Sequence, residues 1–80
     1  MTDAYTRAEC RHAVENLPPR QREILVKIAE CKSRKVIAAE LGISINTVRA
    51  HATNLFQRLR IQSDNQAVRI ACASGLVPVR

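Results

Sequence analysis

Punctuation constrains this chain more than any other feature. Its backbone breakers stand at Pro18–Pro19, Gly42 and Gly75, with Pro78 beyond, and no run of alternating β-branched residues lies between them. Proline lacks a donor and biases the residue before it away from helix, while glycine tolerates the left-handed backbone that ends one. The segments they separate carry apolar residues at helical spacing, so the expected fold class is all-α, with no strand and no wing.

Five helices are predicted. The first runs from about Asp3 to Asn16, with Thr6 and Glu9 at capping-box spacing and Cys10, Ala13, Val14 and Leu17 on one face. The second covers Arg20–Glu30, with Pro19 in its first turn and an apolar stripe of Ile24, Leu25, Ile28 and Ala29. Ser33 caps a short third helix, Arg34–Leu41, which buries Ile37, Ala38 and Leu41. Gly42 then terminates it, and Ser44 caps the fourth helix, Ile45 to about Leu59. A short helix, a glycine turn and a longer helix make a helix-turn-helix. Ser63 or Asp64 caps the last helix, which runs to about Ser74 before Gly75 and Pro78.

On the fourth helix, Val48, Ala52, Leu55 and Leu59 are spaced four, three and four apart and form a buried stripe. Asn46, Arg49, Ala50, Thr53 and Gln57 share the other side. No acidic residue occurs from Leu41 to Ser63, unlike the mixed Glu and Lys of an ordinary solvated helix. A helix entering a DNA major groove needs small residues where its backbone nears the bases, a fork donor for guanine, and no carboxylate opposing phosphate. Here Arg49 supplies the fork, Ala50 and the Thr53 methyl suit a thymine methyl, and Asn46, Thr47 and Asn54 suit flanking phosphates. Lys32, Arg34 and Lys35 cluster at the start of the preceding helix, where positive charge is unfavourable unless an anion such as phosphate is present.

Composition agrees. Lys and Arg number 13 against 7 Asp and Glu, a net charge of +6, which favours an acidic partner. Cys10, Cys31 and Cys72 are odd in number and form no CxxC pair, so neither a disulfide framework nor a zinc site is indicated. Cys10 and His12, two residues apart, point to different sides of a helix. No cofactor or metal is expected. No segment has the apolar length of a membrane span, and a soluble protein of the reducing cytoplasm is expected. Paired carboxylates, an activated nucleophile and a glycine-rich phosphate loop are lacking, so no enzymatic activity is expected.

"LPPRQREIL", "KVIAAELGISINTVRAHATNLFQRLRI" and "NQAVRIACASGL" resemble the LuxR/GerE-type DNA-binding domain, a four-helix module of bacterial transcription regulators. The resemblance covers about Leu17–Leu76. It divides the chain into an additional N-terminal helix (1–16), the helix-turn-helix domain (17–76) and a tail (77–80). The resemblance implies that Arg49, Ala50 and Thr53 meet base edges. The DNA-backbone candidates are Arg34, Lys35, Ser44, Asn46, Thr47, His51 and Asn54. It also implies a homodimer through the last helix, with Gln66, Arg69, Ile70 and Ala73 as its outward residues.

Five positions depart from the family pattern. Pro18 replaces a capping Thr or Ser, Gln21 a frequent Glu, Val36 a Glu, and Cys31 and Arg60 a Gly. Cys31 is physically the most awkward, because a left-handed terminator is costly without glycine.

The expected function is a sequence-specific, dimeric transcription regulator acting on double-stranded DNA. The residues before Leu17 are too few for a phosphoacceptor or sensing domain, so a stand-alone regulator is expected. The alternative class is an adaptor that pairs with a longer regulator or binds RNA polymerase. "AVENLPPRQREIL" also resembles region 4 of the extracytoplasmic-function sigma factors, but His51, Asn54 and the "NQAVRIA" helix follow the LuxR/GerE pattern.

Overall fold

The computed structural model describes residues 6–76, and these form five helices with no strand among them. They are α1 (Arg7–Glu15), α2 (Pro19–Ala29), α3 (Arg34–Leu41), α4 (Ile45–Leu59) and α5 (Asp64–Ser74). The tail 77–80 and the proposed start of the first helix at Asp3 lie outside the described residues.

Caps explain the helix starts. Thr6 Oγ1 accepts from the Glu9 N–H at 3.1 Å and the Glu9 carboxylate accepts from the Thr6 N–H at 2.8 Å. That reciprocal pair makes Thr6 the cap and Arg7 the first helical residue. Ser33 and Ser44 accept from the N–H groups of Val36 and Thr47 at 3.2 and 3.1 Å. Between the two candidates for α5, Ser63 is the cap, accepting from the Gln66 N–H at 3.3 Å, and Asp64 is the first helical residue. Proline decides the start of α2: Pro19 occupies its first position and Pro18 its cap, with no side-chain cap bond.

Four left-handed residues end α2 to α5, two of them glycine (Gly42, Gly75) and two not (Cys31 at φ 65°, Arg60 at φ 56°). The Cys31 turn keeps the bonds of a Schellman motif: Cys31 N–H donates to Ile28 C=O at 2.9 Å and Lys32 N–H to Lys27 C=O at 3.1 Å. The loop is therefore not rebuilt around the missing glycine; the strain is carried. Arg60 shows the same pairing, with Ile61 N–H donating to Phe56 C=O at 3.0 Å. Ile61 is then buried, and its burial offsets the strain at the residue before it.

A single core joins the helices, with Ile24, Leu25, Ile37, Val48, Leu55 and Leu59 the largest fully buried side chains. α2 packs on both α4 and α5, and α3 packs on α4, which fixes the helix-turn-helix. α1 is not a loose extension: it packs on α5, and Cys10 and Val14 join the same core. Burial, with Glu9 adding to it, pushes the Cys10 thiol up from its ordinary value, so at neutral pH it is an uncharged packing group. His12 lies on the exposed side of α1, where its Nε2 accepts from the Asn16 amide at 3.0 Å. Leu41 is only partly buried, since α3 ends there.

Candidate nucleic-acid interface

α4 is divided as its spacing predicts. Val48, Ala52, Leu55 and Leu59 are buried, while Asn46, Arg49, Ala50, Thr53 and Gln57 are all exposed on the far side. Arg49 stands among short side chains and makes no ion pair among the described residues. A guanidinium with no carboxylate to satisfy keeps its whole donor fork for an incoming acceptor. Ala50 beside it leaves the helix backbone uncovered.

At the N-terminus of α4, the hydroxyls of Ser44 and Thr47 lie 2.9 Å apart and both remain exposed. Asn54 is exposed and His51 half-buried on the same flank. These side chains, with the first N–H groups of α4, form a row of polar groups beside the Arg49 face.

The three cations at the start of α3 are not equivalent. Lys32 Nζ is taken by Glu40 at 2.9 Å and Glu30 at 3.4 Å. Arg34 donates to the Asp64 carboxylate through Nη2 at 2.7 Å and Nη1 at 3.3 Å, and its guanidinium carbon lies 6.0 Å from the centre of the Phe56 ring. Lys35 is exposed and has no ion pair among the described residues. The sequence cluster treats these residues as one patch, but folding neutralises two of them with Glu30 at the end of α2, Glu40 of α3 and Asp64 of α5.

Sequence reasoning missed one group. Gln21, on the first turn of α2, lines a shallow hollow with Asn54, Gln57 and Arg58 of α4. Gln21 is 7 % exposed and its Oε1 has no hydrogen-bond partner among the described residues. The hollow extends the polar flank of α4 toward α2. Its only sequence signal is Gln21 itself, standing where the family often has Glu.

The last helix needs a correction. Ile70, expected on the outward side, is 2 % exposed and sits in the core with Ala67 and Ala71, because α1 and α2 both pack against that side of α5. Ala73 is partly buried against the same core. Gln66 spends its side-chain carbonyl on the Gln62 N–H at 2.6 Å. Asn65 and Arg69 are exposed, with Val68 half-buried beside them, and they define the outward side.

No helix among the described residues is long and apolar enough to cross a membrane. They also contain no group of three or more His, Cys, Asp or Glu side chains able to hold a metal ion.

Comparison with known families matches residues 15–71 to GerE, the luxR family of bacterial regulatory proteins. Among curated relatives, the transcriptional regulatory protein LiaR of Bacillus subtilis is 41 % identical over 73 residues, covering 84 % of this chain and 35 % of LiaR. A putative HTH-type transcriptional regulator of Escherichia coli, YhjB, is 43 % identical over 54 residues, covering 68 % of this chain and 27 % of YhjB. The transcriptional regulatory protein UhpA of Escherichia coli is 40 % identical over 53 residues, covering 66 % of this chain and 27 % of UhpA. The chain thus spans about a third or less of the length of these relatives.

Proposed function

The chain belongs to the luxR family of bacterial regulatory proteins, and from that premise we propose that it is a sequence-specific transcription regulator that reads double-stranded DNA with α4 in the major groove. One observation carries the reading: α4 exposes an acid-free face with Arg49 among Asn46, Ala50 and Thr53, directly over its buried stripe. Arg49 donates bidentately to guanine O6 and N7, and Ala50 and the Thr53 methyl contact thymine methyl groups. Lys35, Ser44, Asn46, Thr47, His51 and Asn54 hold the phosphates that set its register.

Two copies acting on an inverted repeat give the reading its second half. α5 presents Asn65, Val68 and Arg69 outward, and a twofold dimer across this side supplies one α4 for each half-site of the repeat. Gln66 lies at the edge of that contact. LiaR and UhpA, named as transcriptional regulatory proteins, support the regulatory role.

The test selects bound fragments from the source genome, then measures affinity for the recovered site. Arg49→Ala is expected to cost about 1–3 kcal/mol and to relax preference at one base pair per half-site. An unchanged footprint and affinity in that variant would remove α4 from the groove. Equal binding of all fragments by the wild-type protein would favour the adaptor role over sequence reading.

A further inference from the structure

The acid-free stretch ends at Asp64, the first carboxylate after Glu40. The fold carries that carboxylate, the first helical residue of α5, back to the start of α3, where it takes both terminal nitrogens of Arg34 at 2.7 and 3.3 Å. Three features hold the pair. Its geometry is a two-pronged fork, Phe56 lies under the guanidinium at 6.0 Å, and the first turn of α5 favours a carboxylate there. The Arg34 side chain is 25 % exposed and that of Asp64 55 %. Lys35, the neighbouring cation, has no such partner among the described residues.

We propose that Asp64 sets the sequence-independent background of DNA binding: by occupying Arg34, it withholds one positive charge from the phosphate backbone and lowers affinity for every duplex, cognate or not. This rests on the reading of α4 as the DNA-binding helix. Sequence-independent affinity comes almost wholly from cations that neutralise phosphates and release counterions. A paired Arg34 releases none, so Lys35 acts alone at the start of α3. A phosphate contact carries no sequence information, so withholding it lowers cognate and non-cognate affinity by the same factor and leaves base discrimination to the Arg49 face. Asp64 acts here as a positioning residue, through Arg34, and not by touching DNA.

The experiment measures binding of the full chain to a fixed-length non-cognate duplex over a salt series. Asp64→Asn is expected to steepen the slope of log K against log salt by about 0.9, which amounts to roughly eightfold tighter binding at 0.1 M salt relative to a 1 M reference. Cognate binding gains by the same factor, so the specificity ratio is unchanged. The double variant Arg34→Gln, Asp64→Asn, which removes the pair without leaving a lone charge, is expected to keep the wild-type slope. It provides the answer even where Asp64→Asn alone folds poorly. An unchanged slope in folded Asp64→Asn, or a slope shallower by about 0.9 in the double variant, overturns the proposal while leaving the reading of α4 intact. Wild-type protein that binds no duplex at any salt overturns both.

Discussion

Glu40 on α3 accepts from two lysines of different segments, Lys27 of α2 at 2.7 Å and Lys32 of the following loop at 2.9 and 3.0 Å. This fastens the short third helix to the end of α2. Hydrogen bonds from Lys27 and then Lys32 hold the Glu40 carboxyl below its ordinary value. The Glu40 hydrogen bond, with help from Glu30, holds the Lys32 ammonium above its own. Glu40 therefore contributes stability that is present above its unfolded value and lost as pH falls through the lowered folded one. Lys32 contributes stability that is present below the ordinary lysine value and lost as pH rises through the raised one. Thermal melts across pH test this directly. Glu40→Gln lowers the melting temperature on the mid-pH plateau, and its gap from wild type closes in acid. A gap that persists below the carboxylate range would place the effect elsewhere.

Cys31 and Arg60 hold left-handed backbone without being glycine. Relief of the Cβ clash favours Cys31→Gly and Arg60→Gly, partly offset by the freer unfolded chain. Each is expected to stabilise by about 1 kcal/mol, read as a higher urea midpoint at unchanged slope. Destabilisation by both would show that the turns are not strained.

Leu55 is fully buried on the inner side of α4. Leu55→Ala is expected to cost roughly 2–5 kcal/mol, a large share of the stability of a domain this small. DNA binding should then fall with the folded fraction, whereas Arg49→Ala should melt like wild type.

Ile70 and Val68 separate the two sides of α5. Ile70→Ala should destabilise the single subunit by roughly 2–5 kcal/mol through the cavity it leaves. Val68→Glu should leave the fold intact and shift the protein toward monomer in sedimentation. A Val68→Glu variant with unchanged association would move the dimer contact off this side.

Lys35→Ala should weaken all duplexes alike and flatten the salt slope by about 0.9, because it removes one phosphate contact and no base contact. A loss confined to one sequence would instead make Lys35 a base reader.

Local chemistry made most of the fold legible from the sequence. Ser33 with Gly42 bounds α3, and Ser44 with the apolar stripe from Val48 to Leu59 defines α4, because caps, terminators and helical spacing act within a few residues. The same spacing exposed the Arg49 face. What spacing does not carry is which side of a helix meets another helix. α5 has apolar or small residues around most of its circumference, so Ile70 could be assigned inward only once α1 and α2 were seen to pack on it.

Charge pairing followed the same division. The sequence by itself determined that cations gather at the start of α3 and that no acid lies between Leu41 and Ser63. Only the tertiary structure decided that Asp64, 30 residues after Arg34, would return to neutralise it and leave Lys35 unpaired among the described residues. The physical reason is range: a helix cap is settled by bonds three residues long, whereas an ion pair between α3 and α5 exists only after the core has brought their ends together.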